Sequence, residues 1–303
     1  VYEWFLYEPS LDRIIAPLDP AWVVVGENFR YGYRAAGTAD TLRASGQGRF
    51  QVEAVQLVQG LLGNTAGQAV GEPSADELAL LNPWRSQLPA SVFGPMAMAP
   101  RTDGQSSLRA NLRQAQQLLK DAGWTYRDGA LRNAKGEAFE LEYLDSNESG
   151  ARVVTPWARN LEKIGVKLNF RPVDFALYQQ RLQKFDFDIT SIAYGGTHNP
   201  GQEYADLFGS QAAKTEDSGN LAGLASPAVD ALVRSLSSAK RQQELLPACR
   251  ALDRVIGHSH VLVPQWSANT HRLAYNAWRL DKPANMPPYA AGETWAIDLW
   301  WAK

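Results

Sequence analysis

Residues 151–194 read in the order helix, strand, helix, strand, and this order constrains the fold more than any other feature of the chain. Ala151 to Ile164 has helical apolar spacing closed by Gly165, Val166 to Val173 reads as a strand, Asp174 to Lys184 as a helix, and Asp186 to Tyr194 as a second strand. Neighbouring strands joined through a helix run parallel with a right-handed crossover, because the connection has to return to the starting edge of the sheet. Asp174 is placed to cap its helix, since a carboxylate there accepts backbone N–H groups that the first turn leaves unpaired. The segment is therefore expected to be α/β, a sheet flanked by helices.

The flanks extend this reading. From Ser107 to Ala122, Leu108, Leu112, Ala115, Leu118, Leu119 and Ala122 recur at helical spacing, with Ser107 as N-cap and Gly123 as the stop. Trp124 to Arg132 holds an Asp128-Gly129 turn signal, and Phe139 to Tyr143 alternates like a strand with one wet face, so the two read together as a hairpin. Pro227 to Ala239 and Gln242 to His258 read as two helices joined at Arg241, followed by a strand at Val261 to Gln265. Before this lobe, a strand is expected at Trp22 to Val25 and helical spacing around Val52 to Leu62, within a stretch rich in small and polar residues. The expected organisation is an atypical N-terminal segment over 1–75, an α/β lobe over 76–266, and a C-terminal segment over 267–303.

Composition narrows the function. The net charge is −2 and there is no Lys/Arg block, so the electrostatic footprint of nucleic-acid binding is missing. A single cysteine, Cys249, excludes an intramolecular disulfide and a thiolate zinc cluster, and its place in an amphipathic helix predicts a buried, inert thiol. No apolar run reaches the length of a membrane span, and no signal-like segment starts at Val1. Ten Trp are more than usual, and they suit either core packing or ligand stacking.

Catalytic motifs find no support. Asp186 and Asp188 share a strand face, as paired glycosidase carboxylates would, yet Phe185 and Phe187 then occupy the other face, which describes a strand with one polar side. His258-Ser259-His260 has no cysteine or acidic cluster beside it to complete a metal site, and His258 is explained as a cation at a helix C-terminus. There is no nucleophile elbow, phosphate loop or dinucleotide fingerprint. No catalytic residue, metal or cofactor is expected, and the chain is read as a non-enzyme.

The positive signal is an ordered series of short motifs. Phe185-Asp-Phe-Asp-Ile189 leads into Tyr194-Gly-Gly-Thr-His-Asn-Pro-Gly-Gln-Glu203, then Ser218-Gly-Asn-Leu-Ala-Gly223 and Ser226-Pro-Ala-Val-Asp230. Gly123-Trp124, Asp128-Gly129, Asn160-Leu-Glu162 before Ile164-Gly-Val166, Tyr178 to Leu182, Arg250-Ala-Leu-Asp-Arg254, Val263-Pro-Gln-Trp266, Arg272-Leu-Ala-Tyr275 and Pro287-Pro-Tyr289 complete it. In this order, from Glu72 to Trp301, the chain resembles the family 5 solute-binding proteins of ABC importers, within them the oligopeptide and microcin C uptake subset.

The resemblance implies a periplasmic-binding-protein-like type II lobe that captures an oligopeptide or peptide-like compound, as a monomer, and delivers it to permease subunits in the inner membrane from a periplasmic or cell-envelope location. It implies that Gly195, Gly196, Thr197, His198 and Asn199 form a loop facing the ligand cleft, where backbone groups pair with an extended peptide as an added strand would. Many relatives place an Asp in this loop for the peptide's amino terminus. Here Thr197, His198 and Asn199 stand there instead, and Glu203 is the nearest acid. Asn220 is expected either near the ligand or bracing a turn, and Tyr178, Tyr194 and Trp266 are the aromatics placed nearest a ligand. Relatives carry a complete first lobe before the equivalent of Pro73, so the chain is expected to lack most of that lobe. A truncated or inactive remnant, or a sensor or interaction module built on the same lobe, is the alternative reading.

Overall fold

The computed structural model describes residues 67–96, 107–194 and 200–265, together with 22–26, 30–31, 37–38, 40, 43–44, 51–55, 100, 102, 278–281 and 300–302. The chain divides into two compact units, one made of 1–58 and 265–303 and the other of 59–264.

In the first unit, strand β1 (Trp22–Gly26) pairs in parallel with β2 (Gln51–Val55), Val23 opposite Val52. The strand at Trp22 is as expected. Of the helical spacing expected around Val52 to Leu62, the part up to Val55 is extended instead, its valines favouring strand backbone, and 56–62 lie outside the described residues. Leu280–Asp281 pairs antiparallel with Trp301–Ala302.

The second unit begins with helix α1 (Ala75–Leu81), which a capping box starts: the Ser74 hydroxyl accepts the Glu77 N–H while the Glu77 carboxylate accepts the Ser74 N–H. Helix α2 (Leu108–Asp121) has Ser107 as N-cap, its hydroxyl accepting from the Ala110 N–H at 3.2 Å, and stops before Gly123, whose φ of +88° suits a residue without a Cβ. Strands β3 (Thr125–Arg127) and β4 (Ala130–Arg132) form the hairpin around Asp128 and Gly129, both at positive φ.

Strand β5 (Glu140–Asp145) departs from the expected alternation. It meets the hairpin only through an antiparallel bridge between Arg132 and Ala138, and otherwise lies at the centre of a three-stranded parallel sheet of order β6-β5-β7, with β6 (Lys167–Pro172) and β7 (Ile189–Thr190) at its sides. Tyr143 and Leu144, on opposite faces, are both buried. A central strand covered on both faces does not alternate, which is the usual state of parallel sheets.

Helix α3 (Ala151–Glu162) connects β5 to β6, and α4 (Phe175–Gln183) connects β6 to β7. Asp174 caps α4, accepting the Leu177 N–H at 3.0 Å. The strand expected over Asp186–Tyr194 shrinks to Ile189–Thr190. Phe185 sits at φ +54°, the Asp186 N–H returns to the Arg181 carbonyl, and the Asp188 carboxylate accepts the Glu142 N–H at 2.8 Å. A side chain thus takes the backbone donor that a longer ladder would have used.

Helices α5 (Glu203–Phe208), α6 (Pro227–Ser238) and α7 (Gln242–Gly257) complete the unit. On α7, Ala248, Cys249, Ala251, Leu252, Val255 and Ile256 repeat at one, three and four residues and are all buried, against Leu232, Val233 and Leu236 of α6, Leu81 of α1 and Phe208 of α5. Val261–Gln265, expected as a strand, has no strand pairing. Two smaller clusters cover the sheet, one of Leu131, Ile164 and Val166, the other of Tyr143, Val154 and Leu168.

Inside the large cluster lies a buried ion pair. Arg254, 0 % exposed, gives its Nε and Nη2 to Glu77 Oε2 at 3.2 Å, and its Nη1 to the carbonyls of Gly71 and Gly94 at 3.1 and 2.8 Å. The neighbouring Asp253 accepts the Ala69 N–H at 2.9 Å. The stretch from Ala69 to Gly94 is therefore tied to α7 through side chains.

His258 caps the end of α7 with its ring buried and hydrogen-bonded to the backbone of Pro95. Its pKa is lowered by burial, then by the charge of the adjacent Arg254. The expected helix-terminal cation is thus a neutral imidazole, because desolvation beside a buried guanidinium outweighs the helix dipole.

Candidate functional site at the carboxyl edge of the sheet

Because β5, β6 and β7 run parallel, their carboxyl ends at Asp145, Pro172 and Thr190 share one edge, the place where open α/β sheets bind ligands. Two tyrosines sit there on opposite faces. The Tyr143 ring packs edge-on to Trp157 at 6.3 Å and against Phe170 at 6.0 Å, and its hydroxyl hydrogen-bonds the Ser191 hydroxyl. Burial raises its pKa, outweighing that hydrogen bond.

On the other face, the Thr190 hydroxyl donates to the Leu144 carbonyl at 3.1 Å, so the Tyr178 hydroxyl, 3.1 Å away, donates to it. The same hydroxyl lies 3.4 Å from the Ser191 carbonyl. Tyr178 stands one turn into α4, placed by the Asp174 cap. Across the strand, Arg181 of α4 bridges Glu142 at 2.6 Å and Asp186 at 2.9 Å, which holds α4 to the sheet.

From Thr190 the chain leaves the edge through Ser191 to Tyr194. Tyr194 packs its ring on Phe208 at 5.8 Å, and its hydroxyl is buried without a hydrogen-bond partner among the described residues. After the loop, Tyr204 stacks on the same Phe208 at 6.0 Å. Both stems of the 195–199 loop are thus anchored in one aromatic cluster. Burial raises the pKa of Tyr194, and burial with the nearby Glu203, Cys249 and Asp253 raises that of Tyr204 to about 12, so both are neutral phenols.

Of the residues singled out from sequence, Tyr178 and Tyr194 are at this edge and stem. Glu203 starts α5, exposed, with its carboxylate accepting the Gly201 N–H at 3.0 Å. Asn220 is 0 % exposed: its Nδ2 donates to the Gly209 and Leu224 carbonyls at 2.9 Å each, and its Oδ1 accepts the Leu224 N–H at 3.0 Å. Of its two expected roles, this geometry shows the turn brace. Gly195, Gly196, Thr197, His198, Asn199 and Trp266 lie outside the described residues.

Sequence reasoning missed Tyr143, Thr190 and Ser191. Their signal was hydroxyl side chains at the ends of two strands that pair in parallel. Among the described residues, no group of three His, Cys, Asp or Glu is placed to hold a metal ion. Burial raises the Cys249 thiol to about 11, the inert state expected of it.

Residues 85–216 match the middle region of the bacterial extracellular solute-binding proteins, family 5. The probable peptide-binding protein YejA of Agrobacterium fabrum is 38 % identical over 234 residues, 77 % of this chain and 37 % of its own length. The peptidoglycan-binding protein YepA of the same bacterium is 29 % identical over 226 residues, 74 % of this chain and 36 % of its own. The chain spans a little over a third of the length of the curated relatives it matches. Among solved structures, a periplasmic oligopeptide-binding protein from Thermotoga maritima is similar with a TM-score of 0.48 at 20 % identity, over 63 % of this chain and 39 % of its own.

Proposed function

We propose, for a chain that belongs to the family 5 bacterial extracellular solute-binding proteins and so to the type II periplasmic-binding-protein-like α/β class, that its lobe reversibly binds an oligopeptide or peptide-like compound. The observation that carries this reading is the carboxyl edge of the parallel sheet opening into a loop whose two stems, Tyr194 and Tyr204, are fixed on Phe208. In this reading the backbone groups of Gly195 to Asn199 pair with an extended peptide, and such pairing gives affinity that is largely indifferent to side chains.

In this reading Tyr178 and Trp266 offer aromatic surface to the ligand, Thr197, His198 and Asn199 offer polar contacts, and Glu203 supplies the counter-ion for a peptide amino terminus. Tyr194 and Asn220 act from behind, holding the loop and the turn that follows it. The proposed task is capture, with no chemical step assigned to these residues. Delivery to the permease of an ABC importer in the cell envelope, through a cleft closed by a second lobe, belongs to the same proposal. Closure follows because a ligand touching both lobes has higher affinity for the closed state.

Native mass spectrometry of the purified chain, before and after mild denaturation, tests the reading. A peptide-sized adduct released on denaturation, or taken up from an added peptide mixture, is the expected result. A bare mass that persists with peptides present overturns it, and leaves a lobe that no longer binds or that serves only as an interaction module.

A further inference from the structure

We propose that the groove between α2 and the C-terminal end of α3 binds an anionic amphiphile, a phosphate or carboxylate head on a single apolar tail. The groove holds about 580 Å³ and is lined by Leu108, Leu112 and Ile164 with Arg109, Arg113, Gln116 and Lys163. That volume suits a small molecule, for which pockets run from about 300 to 1,000 Å³.

Helical spacing builds the two chemistries side by side. Leu108 and Leu112 stand one turn apart on α2, and Arg109 and Arg113 form the adjacent stripe. Leu112 packs on Ile164 within the cluster beneath, so the floor is apolar, while Leu108 remains 39 % exposed at the mouth. The lining contains no carboxylate. Arg109 and Arg113 make no ion pair among the described residues, and Lys163 gives its ammonium only to the Asn160 amide oxygen at 2.8 Å.

Three exposed cations lining a groove with an apolar floor, in a chain whose net charge is −2, are the complement of an anionic head with a tail. Like charges one helical turn apart repel, and an anion between the two guanidinium forks removes that repulsion and accepts paired hydrogen bonds. A peptide backbone does not fit the same groove. None of the lining residues belongs to a described strand, so the groove offers no sheet edge for strand-like addition.

The test is a calorimetric titration of the full chain with octyl phosphate below its micelle concentration, in parallel with inorganic phosphate and with octyl glucoside. Octyl phosphate is expected to bind, and each partial probe to bind at least about tenfold more weakly. The exposed pair Arg109→Gln/Arg113→Gln is expected to weaken octyl phosphate binding about tenfold with an unchanged melting curve, and Arg109→Lys/Arg113→Lys, which keeps the charge and loses the paired hydrogen bonds, to fall between the Gln pair and the native chain. Equal affinity for inorganic phosphate removes the apolar floor from the argument and overturns the proposal, as does equal affinity for octyl glucoside. No binding of octyl phosphate to the native chain, or undiminished binding to the Gln pair, overturns it too. The titration contains no peptide, so its result is independent of the peptide-binding reading.

Discussion

Around α7, Arg254, Asp253 and Glu77 are buried and paired, whereas along the carboxyl edge of β5, β6 and β7 Tyr178 and Thr190 are half-exposed and the tyrosines are held through hydroxyls. Arg254 has three carbonyl or carboxylate partners' oxygens in a site without solvent, and Asn220 fills its side-chain donors and acceptor on Gly209 and Leu224. At the edge, Tyr178 rests on the Thr190 hydroxyl and the Ser191 carbonyl and Tyr143 on one serine hydroxyl. The difference teaches where rigidity is concentrated. A buried polar group left unpaired is costly, so the helical cluster has essentially one arrangement, while the edge can exchange its weak contacts for those of a ligand.

The sharpest way to break this comparison is to remove one partner of the buried pair. Glu77→Ala leaves the Arg254 guanidinium without its carboxylate in the core and is expected to cost about 3–5 kcal/mol, read from the urea midpoint. Glu77→Gln keeps an acceptor and is expected to cost less. Next comes Asn220→Ala, which strands two carbonyls and one N–H away from water and is expected to cost about 2 kcal/mol by the same measurement. A loss near zero would place that turn among the mobile parts of the molecule instead.

Tyr194 tests the stem of the loop. Its hydroxyl is buried without a partner among the described residues, so Tyr194→Phe keeps the contact with Phe208 and removes an unpaired polar group. A gain of about 1 kcal/mol is expected in thermal melting, and a loss of that size would show that the hydroxyl has a partner in solution.

Acid sharpens the comparison in a different way. The His258 pKa is lowered in the folded chain from an ordinary 6.5, so below that value the unfolded state binds the proton more readily. Its stabilising contribution is present above pH 6.5 and is lost as the pH falls toward the folded pKa. Melting temperatures of the native chain and of His258→Gln, measured from pH 7.5 downward, should therefore diverge at neutral pH and converge in acid. Parallel curves would remove His258 from the account. The smallest effect is expected at the edge: Tyr178→Phe gives up one half-exposed hydrogen bond, about 0.5 kcal/mol by urea denaturation, which is the sense in which the edge is lightly held.

Much of the fold was legible in the sequence because it rests on local chemistry. Ser107 and Asp174 cap the helices they precede, the Asp128-Gly129 turn closes its hairpin, and the α7 stripe packs as its spacing requires. The strand expected over Asp186–Tyr194 was not legible, since what shortens it is a carboxylate reaching Glu142 from 46 residues away. The candidate site divides in the same way. Tyr178 and Tyr194 could be singled out from motif order, but the pairings of Tyr143 with Ser191 and of Tyr178 with Thr190 depend on which strands become neighbours.

By itself, then, the sequence determined helices α2, α3, α4, α6 and α7, the caps at Ser107 and Asp174, the α/β class and, through the order of its motifs, the family, because these follow from hydrophobic period, backbone propensity and short-range hydrogen bonding. Only the tertiary structure decided that Arg254 and Glu77 meet across 177 residues, that His258 is a neutral buried ring, and that both stems of the loop rest on Phe208. The physical reason is that desolvation and long-range pairing depend on what surrounds a side chain in space, and a residue's neighbours along the chain say little about that.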